Sequence, residues 1–232
     1  MALINDFMSL IYPRHCEACG NTLFSHENLL CNYCRVNLPR SEFHLHPVNE
    51  LRRLFDGRVP LQEASAYYLY EKSGRVQQLV HAIKYQQQQQ LAEWIGSCYA
   101  EELFDSGAFT SVDVIVPIPL HKNKLKLRGY NQSLCFAKGL GTVWQKSILP
   151  EALERSRATA TQTRKKKYQR WENVEGIFTL PSPSTLAHKH VLLVDDVITT
   201  GATIEAAWMA LQQVEGIRLS VLSLAFAARA FA

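Results

Sequence analysis

The chain has 232 residues, 47% of them hydrophobic and 20% charged, enough to bury one substantial core and still carry a small appendage. A net charge of +4 is too small to make polyanion binding a property of the whole surface, so any such role has to lie in local basic runs. No apolar run approaches the ~20 residues that cross a bilayer, which argues against a transmembrane helix.

The first segment, MALINDFMSLIYP, has no basic start and carries Asp6 inside its apolar part, which argues against export and for a cytoplasmic protein. Leu3, Ile4, Phe7, Met8, Leu10 and Ile11 predict a short amphipathic helix ended by Pro13. Cys16, Cys19, Cys31 and Cys34 follow as C-x2-C-x11-C-x2-C, with Gly20 placed where a metal knuckle turns tightly. Four thiolates suit tetrahedral zinc and leave no open coordination position, so the expected role of the metal is structural. Two disulfides are the competing use of the same cysteines, and a reducing compartment favours metal. His15 reads as a solvated flank of this zinc ribbon, while Cys98 and Cys135 fall among apolar helical positions as small buried hydrophobes. Helix and ribbon together make a module of residues 1–40.

Residues 41–63 show weak periodicity and read as a linker, with His44 and His46 solvated. The main domain then spans 64–232. Residues 64–70 predict a strand and 76–84 a helix with Val76, Leu79, Val80 and Ile83 inward, ended by Lys84 and Tyr85. The five glutamines at 86–90 read as the solvated start of a helix continuing to 104. Residues 112–116 form a second buried strand, stopped by the prolines of Pro117, Ile118 and Pro119, with Leu120 and His121 after them. Lys122, Lys124, Lys126 and Arg128 then cluster ahead of Gly129 and a helix over about 130–144. Such a run is commonly a solvated face, but its place after a strand lets it meet a ligand at the carboxyl edge of the sheet.

Residues 155–170, RSRATATQTRKKKYQR, read as a mobile cationic loop. One use of it is nucleic-acid binding: Lys165, Lys166, Lys167 and Arg170, with Tyr168 and Trp171 among them, have the chemistry to track phosphates and stack on bases of single-stranded DNA. The other is to hold a small phosphorylated ligand, and the two are compatible.

Val191, Leu192, Leu193 and Val194 form a nearly continuous β-favouring run, as expected of a parallel strand buried on both faces, with Asp195 and Asp196 at its carboxyl end. Thr199, Thr200, Gly201, Ala202 and Thr203 lead into a helix over 204–214, and 217–228 supplies a late strand. Free amides and the positive end of a helix dipole can hold a phosphate at that glycine turn, and two carboxylates beside it can accept from adjacent sugar hydroxyls. The bland alternative is an acidic loop followed by an ordinary threonine helix cap. Strands alternating with helices predict an α/β doubly wound domain with a mainly parallel sheet flanked by helices.

The run VLLVDDVITTGAT resembles the phosphoribosyl pyrophosphate (PRPP) signature of type I phosphoribosyltransferases. The resemblance implies a type I phosphoribosyltransferase-like sheet, with Asp195 and Asp196 on the ribose hydroxyls and, through substrate oxygens or water, on Mg2+. It further implies Val197 inside the signature and Thr199, Thr200, Gly201, Ala202 and Thr203 around the 5-phosphate. PIPLH and RGYNQ, together with the cysteine module, are similar to the ComF and GntX branch of that superfamily. This implies a pyrophosphate loop of Pro119, Leu120, His121 and Lys122, with Arg128, Tyr130, Asn131 and Gln132 as the branch's own residues around it. Lys124 and Lys126 stand where the branch often has arginine, keeping the charge and losing the bidentate fork. Arg155, Arg157, Thr161 and Gln162 match the flexible loop that closes over PRPP in amidophosphoribosyltransferases. The implied function is PRPP- and Mg-dependent phosphoribosyl transfer to a nitrogen acceptor with release of pyrophosphate, linked to DNA uptake through natural competence. The implied alternative is a non-catalytic PRPP-binding accessory of nucleic acids. Nothing in the residues selects a purine, a pyrimidine or ammonia as acceptor.

Overall fold

The computed structural model describes residues 13–155 and 176–227. The helix expected at 3–11 and the end of the expected late strand at 228 lie outside them. So do Arg157, Thr161, Gln162, Lys165, Lys166, Lys167, Tyr168, Arg170 and Trp171.

Five parallel strands form the main sheet: β1 (Leu61–Leu69), β2 (Val114–Pro117), β3 (Ser147–Ile148), β6 (His190–Ile198) and β7 (Arg218–Phe226), in the order β1-β7-β6-β2-β3. A separate antiparallel pair, β4 (Glu154–Arg155) and β5 (Phe178–Thr179), lies between them in sequence. Parallel neighbours require crossovers, and helices supply them. They are α3 (Arg75–Tyr85) and α4 (Gln89–Ser106) after β1, α5 (Lys122–Arg128) and α6 (Gln132–Trp144) after β2, and α7 (Ala202–Leu211) after β6. Two short helices, α1 (Asn32–Asn37) and α2 (Glu50–Arg53), precede the sheet.

Alternation along the buried strands divides the core into two layers. Ile115, Leu192, Val194 and Leu222 face one layer with α3, α4, α6 and the cysteine module. Val114, Val116, Val191, Leu193 and Val221 face the other, with α7 and the 51–59 segment. The connection from β6 to β7 runs one way along the sheet and that from β2 to β3 the other, so the winding reverses between β6 and β2. A crevice opens outside the carboxyl ends of strands at such a reversal.

In the first layer α4 and α6 meet backbone to backbone. A Cβ on Gly139 would lie 1.9 Å from the Glu93 carbonyl oxygen, and one on Gly96 would lie 2.2 Å from that of Phe136. Only glycine at both positions permits this approach.

Several boundaries differ from the sequence reading. Residues 41–63, expected as a linker, hold a 3-10 turn (Phe43–Leu45) and α2, and bury Leu51, Phe55 and Val59 in the second layer. Their periodicity is weak because each helical piece is only one turn long. His44, expected to be solvated, is half-buried with its ring edge-on to Tyr99 at 5.6 Å, and burial lowers its pKa, while His46 is exposed. The glutamine run both ends one helix and starts the next: Gln86 ends α3, Gln87 takes a φ of 58°, and α4 begins at Gln89. The basic run 122–128 is itself helical, capped by His121, whose Nδ1 accepts from the Asn123 amide at 3.2 Å. Finally, β6 does not stop at Val194. It continues through both aspartates because β7 still pairs with it, Asp195 opposite Ser223 and Ile198 opposite Phe226.

Candidate functional site

Two constellations stand out, the cysteine cluster and the carboxyl edge of β6. The four module thiols lie within 4.8 Å of one another, three of the residues buried. Zinc–sulfur bonds of ~2.3 Å in a tetrahedron place sulfurs about 3.8 Å apart, and Cys19 Sγ lies 3.8 Å from Cys31 Sγ. This donor set therefore fits a zinc ion, and among the described residues no cysteine is joined in a disulfide. Burial pushes the Cys16 thiol up, but the backbone amides of Cys31, Ala18 and Cys19 outweigh it and bring the thiol down to about 7, which favours the thiolate a metal needs. Burial and the neighbouring thiols push Cys34 the other way. His15 is exposed, its Nδ1 hydrogen-bonded to the Gly20 carbonyl at 3.1 Å. Cys135 is buried, with its thiol raised to about 11 by burial, and Cys98 is partly buried.

At the sheet edge the ladder between β2 and β6 ends with Pro117 opposite Val194, and the Ile118 amide donates to the Val194 carbonyl at 2.8 Å. Beyond that point β6 is paired on its β7 side only. The aspartates therefore stand on a strand end whose other flank opens where Pro119 and Leu120 turn away. Asp195 is 9% exposed, and its Oδ1 accepts from Ser133 Oγ at 3.2 Å and from the Asp196 amide at 2.8 Å. Burial first, and the Asp196 charge second, push its carboxyl up to about 7. Asp196 is only half-buried. Its Oδ1 accepts from the Val197 amide at 2.6 Å, and its Oδ2 lies 3.0 Å from Lys84 Nζ and 4.0 Å from Arg128 Nη1.

The turn after the strand leaves Thr199, Thr200 and Ala202 exposed, with Gly201 capping α7 in the left-handed region at φ 78°. Gly201 is buried beneath Phe55 and Leu54, so the supposed linker forms the floor of this turn. Thr200 Oγ1 accepts weakly from the Ala202 amide at 3.5 Å. Glu205, in the first turn of α7, pairs with Arg58 of the same floor segment.

The residues after β2 divide into two groups. Lys122, Lys124 and Lys126 are exposed along α5. Arg128, Tyr130, Asn131 and Gln132 are tied inward. Arg128 donates to Gln132 Oε1 at 2.9 Å and lies 5.5 Å from the Tyr85 ring centre. Asn131 Nδ2 donates to the Ile118 carbonyl at 3.0 Å while its Oδ1 caps α6 through the Ser133 amide. The Tyr130 hydroxyl donates to the Ile83 carbonyl at the end of α3, and burial raises it to about 12. Gln132 Nε2 donates to the Tyr130 carbonyl at 3.3 Å. Arg155, on β4, lies 5.3 Å from the Phe178 ring centre; burial lowers its pKa and the nearby Asp195 carboxylate opposes that.

Sequence reasoning missed Lys84, Ser133 and Phe55. Lys84 carries one faint signal, a lone cation closing an otherwise apolar helix face. Ser133 carries none that separates it from an ordinary helix residue, and Phe55 none that lifts it out of a stretch of weak periodicity.

Residues 141–228 match the family model described as a phosphoribosyl transferase domain. The chain is 29% identical over 196 residues to the DNA utilization protein YhgH of Escherichia coli K12, covering 82% of this chain and 74% of that protein. It is 27% identical over 206 residues to competence protein F of Haemophilus influenzae, covering 82% and 86%. Among solved structures, the allosteric regulatory enzyme of purine biosynthesis superposes with a TM-score of 0.37 at 17% identity, over 56% of this chain and 25% of that one. No helix among the described residues is long and apolar enough to cross a membrane. The carboxyl-terminal part of the chain is thus similar to phosphoribosyl transferase domains, and most of its length is similar to the DNA utilization and competence proteins.

Proposed function

We propose that the carboxyl edge of β6 binds PRPP and that, with Mg2+, the protein transfers its ribose 5-phosphate to a nitrogen acceptor and releases pyrophosphate, in the service of DNA uptake or use. One observation carries this reading: an acid pair on a half-paired strand end, followed directly by a turn of exposed residues that begins a helix. Asp195 and Asp196 take the ribose hydroxyls and favour the positive charge that develops on the sugar. The amides and hydroxyls from Thr199 to Thr203 take the 5-phosphate. Lys122, with Pro119, Leu120 and His121, takes the pyrophosphate side; Lys124 and Lys126 add positive field, and Arg155 and Arg157 serve as the cations of the loop that closes over PRPP. The bond from ribose C1 to the pyrophosphate oxygen breaks with its electron pair leaving on pyrophosphate, a bond from C1 to the acceptor nitrogen forms, and that nitrogen loses a proton. The carboxylate oxygens at the rim are hard donors that fit Mg2+ through substrate oxygens or water, and the ion when bound neutralises pyrophosphate. Zinc in the four-cysteine site is structural, and a cytoplasmic setting keeps those thiols reduced.

A second reading, a PRPP-binding accessory without turnover that handles single-stranded DNA through Lys165, Lys166, Lys167, Tyr168 and Arg170, is favoured by the relatives' names, DNA utilization protein and competence protein. Pyrophosphate release from PRPP, measured against a panel of bases and amines alongside calorimetric PRPP binding, separates the two. Release with any acceptor supports the transferase. Binding with no release across the panel supports the accessory reading, and no PRPP binding by zinc-loaded protein overturns both.

A further inference from the structure

Outside the family motifs, one cation is built into the acid pair. Lys84 ends α3, and its Nζ lies 3.0 Å from Asp196 Oδ2 with its side chain only 19% exposed. The helix that delivers it is held at both ends. Arg75, at its start, lies 4.8 Å from the Tyr33 ring centre of the cysteine module, and at its other end the Ile83 carbonyl accepts from the Tyr130 hydroxyl. Val76, Leu79, Val80 and Ile83 pack in the same core layer as the module cysteines. A lysine on a fixed, well-packed helix is not a passing surface neighbour.

We propose that Lys84 is a ligand-binding residue of this edge, a resident cation that does part of the charge neutralisation otherwise left to a divalent ion. The inference rests on the PRPP reading of the same edge. Two adjacent carboxylates would repel a polyanion at close range, and their effect is strongest where water is partly excluded. Lys84 and Arg128, at 3.0 and 4.0 Å from the same Asp196 oxygen, balance the pair with two positive charges. The edge can therefore accept a phosphorylated ribose without first recruiting the full complement of metal. Lysine suits this role because its compact, rotatable head can leave one carboxylate oxygen for a ligand oxygen without breaking a bidentate pair.

The test is calorimetric titration of zinc-loaded full-length protein with PRPP across a Mg2+ series that includes chelated, Mg-free buffer, for wild type, Lys84→Met and Lys84→Arg. Met keeps the apolar stem and removes the charge. The expected result is measurable Mg-free binding by wild type and a loss of about 10-fold or more in Lys84→Met, with the gap narrowing as Mg2+ rises and Lys84→Arg recovering much of it. Equal affinity, or a loss of the same size at every Mg2+ concentration, overturns the proposal and leaves the PRPP site standing. If Lys84→Met fails to fold, wild type decides alone: binding seen only with Mg2+ present sinks the resident-cation role. No PRPP binding under any condition removes the PRPP reading and this inference together.

Discussion

Replacing Gly201 with alanine tests whether the glycine turn is built as a fixed cradle. The backbone there has a φ of 78°, and a Cβ would stand 2.7 Å from Phe55 Cε1, 3.0 Å from Phe55 Cζ and 3.3 Å from Leu54 Cδ2. A left-handed conformation costs a residue with a Cβ ~1–2 kcal/mol. Forcing a methyl against a ring that is 1% exposed adds ~1–3 kcal/mol. The substitution should therefore cost ~2–5 kcal/mol in a urea unfolding series, and it should weaken PRPP binding because the amides at the start of α7 move with the turn. Phe55→Leu in the Gly201→Ala background separates the two contributions, since it frees space at the ring edge and leaves φ unchanged. The pair should be strongly non-additive. A Gly201→Ala cost below ~1 kcal/mol, or a strictly additive double variant, would refute the argument that the 51–59 segment is the floor of this turn.

Asp195 gives a pH prediction whose sign follows from its raised pKa. Folding lifts the carboxyl from 3.8 to about 7, so its contribution to stability is full below about 3.8 and is lost as pH rises through about 7. Asp195→Asn should remove that loss, a difference of at most ~3 kcal/mol between pH 5 and pH 8, and urea midpoints that fall in parallel for both proteins would contradict it. Reduced, freshly purified protein should carry about one zinc per chain by metal analysis; no metal, or two native disulfides by mass spectrometry, would overturn the cysteine assignment. Replacing Lys165, Lys166 and Lys167 with alanine should weaken single-stranded DNA binding more than PRPP binding, and flatten the log-log salt slope by roughly 0.7 for each phosphate that a removed lysine had neutralised. Wild-type protein that shows no salt-sensitive DNA binding by fluorescence anisotropy would remove the nucleic-acid role of that loop.

The strand and helix around the acid pair were legible because they are fully patterned: β6 is buried along its first six residues, and the glycine that caps α7 sits where the threonine run ends. What could not be read was how far β6 extends. Two aspartates look like a loop in sequence, yet β7 carries the ladder four residues past the point where β2 leaves it. The floor segment was hidden for a related reason. Leu51 and Phe55 are four apart, the helical repeat, but one turn of α2 followed by turns gives no window long enough for a period to register.

The candidate site was legible only where its residues are contiguous. Asp195 and Asp196 announce themselves as a pair, whereas Ser133, which donates to Asp195, is 62 positions away, and Lys84 is further still on a different helix. The RGYNQ motif carries a further lesson, because a motif near the candidate edge does not assign every member to a ligand. Asn131 spends its amide on the Ile118 carbonyl and its oxygen on the α6 cap, while Tyr130 reaches back to α3. Those bonds fix the turn after β2 and the end of the helix that carries Lys84. Arg128 joins the two functions, held by Gln132 while facing Asp196. Cutting Asn131 or Tyr130 should therefore act through the position of Lys84 and the β2 turn, and cutting Arg128 should act on the charge at the acid pair itself.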